Sequence, residues 1–333
     1  MIAADALLST AAANVVNSYV PVTERDKKLA SEVDRLVQIA LSRTESHGGT
    51  PPREAPGLLV VGASGAGKTT AIHHILGRHP RLKNFGVEGE LCPMISFDAP
   101  APTTLLQLGR ELLRATGYPI MNDPKRHIVW EMVRDRLRLT GVVAIHIDEF
   151  HNVTRTANSI ERDQILATLK SLLNDRHWPV ALLLSGLPEV VDFVNADPQV
   201  ARRMRAISFS RLVAPVDVPF VGKIVVKLTS KATCPCPGGF SEEIAPRLIH
   251  AADGSLGILV EIIVEAIGHA LRRAEPLCIQ HFEDAYALRT ACSRSVNPFA
   301  AEEWETIEVT RLLATTPQKE PAPGKPPRGG RKA

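Results

Sequence analysis

Aromatic residues are scarce in this chain, at 5% of 333 residues. That argues against a single-strand nucleic-acid binder built on interleaved aromatic and basic side chains. Cysteine is scarce too: Cys92, Cys234, Cys236, Cys278 and Cys292 are the full set. An odd number in a long chain argues against a disulfide framework. Cys234-Pro-Cys236 falls one residue short of the usual zinc spacing, and no His or Cys pair follows at finger distance. These thiols read as free in a reducing cytosol. No apolar run approaches a membrane span: Val180–Leu187, the longest, has eight residues between Pro179 and Pro188. The Ala-rich start carries Asp5 and no Lys or Arg before Arg25, which makes a poor signal peptide. The expectation is a cytoplasmic protein with no membrane partner. Net charge is low as well, at +3. The stretch 317–333 holds Lys319, Lys325, Arg328, Arg331 and Lys332 against Glu320 alone, so the rest is slightly acidic. Affinity for nucleic acid must therefore come from local clusters of basic residues.

What is present is an ordinary globular composition, 44% hydrophobic and 23% charged, in a chain long enough for about two domains. A helix is expected from Thr23, with Leu29, Val33, Leu36, Val37 and Ala40 on one face. The breaker-rich stretch 46–56 reads as a linker. Apolar strands are then expected at Leu58–Val61, Cys92–Phe97, Val142–Ile147 and Val180–Leu184. Helices are expected between them at Thr69–Gly77, Thr103–Thr116, Asp123–Leu139 (Pro124 in its first turn) and Ile160–Asn174. Such alternation, with each strand apolar throughout, predicts a parallel sheet covered by helices on both faces. Beyond about residue 215 no strand is evident. Helices at Glu242–Ala252, Leu256–Arg273 and Ile279–Ser293 predict a small all-helical domain. The expected organisation is an N-terminal helical segment and linker (1–56), an α/β core (57–215), a helical lid (216–300) and a C-terminal segment with a disordered basic tail (301–333).

Chemistry concentrates at the first strand. Gly62, Ala63, Ser64, Gly65, Ala66, Gly67, Lys68 and Thr69 match G-x-x-x-x-G-K-[ST] in full, followed by Thr70. Glycines let the backbone wrap a phosphate with its N–H groups inward, Lys68 reaches the β/γ-phosphates and Thr69 ligates Mg²⁺. The helix that opens there adds its positive end. A chance match is rare, and the strand–loop–helix context makes it rarer. The third strand ends in Asp148-Glu149. Asp at this place holds Mg²⁺ in P-loop NTPases, and Glu149 is suited to polarise the attacking water. Ser185 closes the next strand, either as a polar contact to the γ-phosphate or as a cap on its own turn. Pro198–Arg205 reads as a short helical stretch with Arg202, Arg203 and Arg205. These form a solvated basic face, unless Arg202 or Arg203 is an arginine finger reaching a neighbouring subunit. Lys125, Arg126, His127, Arg134, Arg136 and Arg138, with Arg272 and Arg273, offer phosphate contacts or ordinary helix faces paired with Glu131 and Asp135. His73, His74, His146 and His151 have no metal spacing and read as ordinary histidines.

The loop at 62–69, the strand ending in Asp148-Glu149, the arginine pair and the helical lid together resemble an AAA+ ATPase. Within that class the chain is similar to the TniB/TnsC family of transposon target-selection ATPases. The segment 99–119, Asp148-Glu149-Phe150-His151-Asn152, Ser185-Gly-Leu-Pro-Glu189 and Arg202-Arg203 carry the likeness. Gly254-Ser-Leu-Gly257 is followed by Ile258 where many lids of the class carry an arginine. The resemblance implies ATP and Mg²⁺ as ligands, with Lys68, Thr69, Asp148 and Glu149 from one subunit and Arg202 or Arg203 from the next. It also implies a homo-oligomeric ring or helical filament on double-stranded DNA. A transposase and a target-selection protein would be the partners, and hydrolysis would disassemble the filament. A replication initiator or helicase loader of the same class is the alternative, and a nucleotide-gated adaptor with little hydrolysis is a third.

Overall fold

The computed structural model describes residues 24–44, 55–118, 120 and 124–309. Thr23, most of the 46–56 linker, Asp123 and the 317–333 tail lie outside the described residues.

The apolar runs form five strands: β1 (Gly57–Gly62), β2 (Met94–Asp98), β3 (Ala144–Asp148), β4 (Ala181–Gly186) and β5 (Met204–Phe209). They pair in the order β2-β3-β4-β1-β5, every pair parallel. Successive side chains in a strand point to opposite faces, so each strand feeds two cores. Leu59 and Val61 of β1, Ile145 and Ile147 of β3, and Leu182 and Leu184 of β4 join one apolar cluster. Helices α3 (Leu105–Ala115), α4 (Arg126–Thr140) and α6 (Ser159–Leu173) cover that face. Leu58, Val60, Ala144 and Leu183 join the other, under α1 (Glu24–Thr44) and α2 (Lys68–Arg78). Burial on both faces is why these strands read as continuous apolar runs without alternation.

Helix ends follow local chemistry. Thr104 caps α3 by accepting from the Gln107 N–H at 3.2 Å, and Asn158 caps α6 through Glu161 at 2.9 Å. The helix expected from Asp123 is α4, which begins at Arg126 with Lys125 as its N-cap, so Pro124 precedes the helix instead of sitting in its first turn. Its basic residues also find partners other than Glu131 and Asp135. Arg126 bonds Gln164 at 2.6 Å and Arg134 bonds Ser171 at 2.8 Å, both on α6.

The stretch read as one basic helix at 198–205 divides. After the short helices α5 (His151–Thr156) and α7 (Val190–Asn195), α8 spans only Pro198–Ala201. Arg202 caps it, and Met204 already begins β5. β5 lies at the sheet edge with Ile207 and Phe209 buried and Arg205 exposed. Arg205 bonds Glu32 of α1 at 2.8 Å. Half-burial gives β5 an alternating pattern, which the flanking arginines obscure in the sequence.

The C-terminal region holds α9 (Val218–Lys231), α10 (Phe240–Ala251), α11 (Leu256–Arg273) and α12 (Ile279–Thr290). α9 adds a helix to the three expected from sequence. Its Val221, Ile224, Val225 and Leu228 fall at i, i+3, i+4, i+7 and enter a separate apolar cluster with α10–α12. α12 stops three residues early because Ala291 turns left-handed. Among the described residues no helix is long and apolar enough to cross a membrane.

Candidate nucleotide-binding site

β4 separates β1 from β3 in the sheet, so the loop after β1 and the acid ending β3 flank the end of β4. Ligands of open parallel sheets bind in such a crevice, beyond the carboxyl ends of the strands. The 62–69 loop is shaped by its glycines. Gly65 and Gly67 take φ of 73° and 85°, in the left-handed region open to glycine. Gly62 lies so close to β5 that a Cβ there would meet the Phe209 carbonyl oxygen at 2.7 Å. Gly67 is the N-cap of α2 and supplies no side-chain hydrogen bond. The N–H groups of the first turn therefore have no side-chain cap, as an anion site requires.

Lys68 is buried and donates to the carbonyls of Gly62 at 2.9 Å and Ala63 at 3.0 Å. An ammonium has a third donor for a phosphate oxygen. Burial lowers its pKa, an effect opposed by the charges of Glu149 and Asp148. Thr69 Oγ1 donates to Asp148 Oδ2 at 2.6 Å, so the two residues proposed from sequence to hold a metal meet here. Asp148 is almost wholly buried, and its Oδ1 accepts from Ser185 Oγ at 2.6 Å and from the Glu149 N–H at 2.8 Å. Burial pushes the carboxyl pKa up, but the hydrogen bonds from Ser185 and Thr69 outweigh it and hold the group below its usual range. A buried carboxylate kept ionised beside a hydroxyl and a phosphate-shaped loop is a donor set suited to Mg²⁺.

Glu149 differs from its neighbour. Its backbone sits at φ 49°, a left-handed conformation that a non-glycine residue adopts at a cost of about 1–3 kcal/mol. Its side chain is half exposed and meets His151 Nε2 at 3.3 Å. The strained turn thus aims one acid into the sheet and the next out of it.

Ser185 is fully buried, and its hydroxyl is committed to Asp148. This places it behind Asp148, hydrogen-bonded to that carboxylate and 2.7 Å from His146 Nε2. The lid reaches the loop directly. Ser255 Oγ and the Gly257 N–H both donate to the Gly65 carbonyl at 2.8 Å. Arg25 donates to Ala66 O at 3.3 Å and Ser210 O at 3.2 Å and stacks on Phe209. Sequence reasoning missed these contacts, since neither Ser255 nor Arg25 lies in a phosphate motif.

Arg202 and Arg203 stand at the opposite end of the sheet. Met204 pairs with Gly57 and Phe209 with Gly62, which puts the two arginines about 17 Å or more from the subunit's own loop at about 3.3 Å per residue. The Arg203 side chain bonds Asn174 at the end of α6, and its carbonyl accepts from Gly57 at 3.0 Å. Arg202 is exposed.

A five-stranded parallel sheet in this order, a phosphate loop at its crevice and a helical lid define a P-loop ATPase fold of the AAA+ class. The sequence model of the family described as Bacterial TniB protein matches residues 35–213. The chain belongs to the TniB family. No curated protein sequence matches it. Among solved structures it is similar to Cdc6p from Pyrobaculum aerophilum, at 16% identity and a TM-score of 0.60, covering 84% of this chain and 72% of that one. The ORC1 protein of Aeropyrum pernix in complex with DNA gives 20% and 0.57, covering 84% and 68%. Drosophila ORC bound to DNA gives 14% and 0.58, covering 87% and 67%.

Proposed function

We propose that this chain binds and hydrolyses ATP with Mg²⁺ and uses the cycle to assemble on, and leave, double-stranded target DNA during transposition. The observation that carries the reading is the meeting of Lys68, Thr69 and Asp148 at the loop, with Glu149 turned outward beside them, in a TniB-family chain. Residues 62–70 would hold the phosphates through backbone N–H groups and Lys68. Thr69 and Asp148 would hold the metal, which supplies charge stabilisation to the transferring phosphoryl group. Glu149 orients the attacking water by accepting its hydrogen bond at a carboxylate oxygen. Arg202 or Arg203 completes the site of the next subunit. The distance from their own loop supports action in trans over action in cis, and its exposure favours Arg202. Hydrolysis between subunits then loosens the homo-oligomer, a ring or filament that recruits the transposase and a target-selection protein.

Two proteins that share the fold are DNA-bound in their structures, which supports duplex DNA as a partner. The likeness to Cdc6 and ORC keeps a replication initiator or helicase loader as the second reading. Sedimentation of the protein with duplex DNA in ATP, ADP or no nucleotide tests the proposal, with retention of an added DDE-type transposase as the second arm. ATP-dependent assembly that retains the transposase supports it. Assembly that instead retains a replicative helicase favours the second reading.

A further inference from the structure

His146 is a polar side chain in the middle of an apolar strand, and it is completely buried. An aliphatic residue would fill the same place with no hydrogen bonds to satisfy, so a buried imidazole there calls for a reason. Its partners form a row across the sheet. Ser96 pairs with His146 on β2, and Leu183 pairs with it on β4, two residues before Ser185 on the same face. His146 Nε2 lies 2.7 Å from Ser185 Oγ, and Nδ1 lies 2.8 Å from Ser96 Oγ. Ser96 Oγ also lies 3.4 Å from Nε2 of His73, which is exposed on α2. His73 and Ser96 line a cavity of about 420 Å³ at the open sheet edge.

The charge at one end orders the whole row. An ionised carboxylate only accepts, so Ser185 donates to Asp148 Oδ1. The Ser185 oxygen then accepts from His146 Nε2–H, His146 Nδ1 accepts from the Ser96 hydroxyl, and Ser96 accepts from His73. A neutral imidazole donates on one side and accepts on the other.

We propose that His146 is a positioning residue for Asp148, acting through Ser185. A serine hydroxyl rotates among staggered positions. The imidazole N–H selects the one in which Ser185 donates to Oδ1, and this holds the carboxylate with Oδ2 on the Thr69 side. The inference rests on the reading of Thr69 and Asp148 as the metal-holding pair of an ATP site.

Two measurements test it. The first is ¹⁵N NMR of histidine-labelled wild-type protein. His146 should be the Nε2–H tautomer with Nδ1 unprotonated; the opposite tautomer overturns the assignment. The second is binding of a fluorescent ATP analogue across a Mg²⁺ titration, with circular dichroism as the folding control. His146→Leu should raise the Mg²⁺ requirement about tenfold, as loss of an outer hydrogen-bond partner does at metal sites. His146→Gln, whose side-chain amide N–H can occupy the Nε2 position, should restore most of the loss. In a Ser185→Ala background His146→Leu should add nothing. A His146→Leu protein that matches wild type, or a double variant carrying the full additional loss, makes His146 a packing residue and ends the proposal. If His146→Leu does not fold, the Mg²⁺ requirement of the Gln variant, expected near that of wild type, and the tautomer decide. Wild-type protein without Mg²⁺-dependent binding would overturn the nucleotide reading itself, an outcome distinct from normal binding that is indifferent to His146.

Discussion

At the scale of single residues, the site divides labour between adjacent acids by burial. Asp148 faces inward and stays ionised through its donors, whereas Glu149 sits on a strained turn with half its side chain in solvent. Glu149→Gln should therefore keep ATP affinity within a few-fold and lower phosphate release by about 10²-fold or more, the range expected for loss of a positioned base. Lys68→Ala should lose binding and turnover together. Equilibrium nucleotide binding and single-turnover hydrolysis separate the two, and normal turnover in Glu149→Gln would remove its assigned role. Gly257 offers a second residue-scale test. A Cβ there would meet the Gly65 carbonyl oxygen at 2.5 Å, a backbone atom that cannot swing away. Alanine favours a helix over glycine by about 1 kcal/mol, yet overpacking costs roughly 1–3 kcal/mol. Gly257→Ala should therefore weaken nucleotide binding as the lid is levered off the loop, with little gain in melting temperature. A Gly257→Ala protein with unchanged affinity would mean the lid contact is incidental to the loop.

At the scale of elements, β5 has two ends that face opposite edges of the sheet's strand axis. Its start carries the arginine pair at the far end of the sheet from the loop, and its end packs Phe209 against Gly62. An Arg202→Ala subunit should bind ATP yet fail to hydrolyse it in an assembly. Mixed with Lys68→Ala subunits it should regain part of the rate, since each contributes the half-site the other lacks. Absence of rescue at every mixing ratio, with assembly confirmed by sedimentation, would remove Arg202 as the finger. Arg203→Ala is expected to cost stability as well, because Arg203 ties the start of β5 to the end of α6 through Asn174. A buried-side hydrogen bond of this kind is worth about 1–3 kcal/mol on removal, readable as a fall in melting temperature.

At the scale of the whole molecule, charge decides how DNA can be held. The net charge is only +3 and the 317–333 stretch accounts for it. Several basic residues outside that stretch are engaged within the chain: Arg126 with Gln164, Arg134 with Ser171, Arg273 with Asp284. On the proposed reading one subunit would offer few phosphate contacts, whereas a polymer would repeat them and gain by avidity. Duplex binding should be tolerant of sequence, dependent on ATP, and should fall steeply with salt as counterions are released. A salt series with a non-hydrolysable ATP analogue, with ADP and without nucleotide checks this, using full-length protein and a deletion from Pro317. Equal affinity in all nucleotide states would remove assembly as the gated step. Loss of binding on deletion would make the tail, and not the ATPase body, the DNA-binding element.

Much of this was legible in the sequence, for a physical reason. The phosphate loop is a contiguous run whose function lies in its backbone, so residues 62–69 announce it without any tertiary context. Strands buried on both faces announce themselves as apolar runs, and β1, β3 and β4 fall within two residues of their expected positions. β5 did not, because a half-buried edge strand that follows Arg202 and Arg203 and contains Arg205 looks like a basic helix. Only the folded chain decided what depends on residues far apart in sequence. Ser185 and Asp148 are 37 residues apart and share a 2.6 Å hydrogen bond. Ser255 and Gly65 are 190 apart and share one of 2.8 Å. His146 looked ordinary along the chain because its meaning comes from Ser96 and Ser185 on the flanking strands. Register between strands, set by packing over the whole sheet, turns three unremarkable polar residues into one row that ends on Asp148.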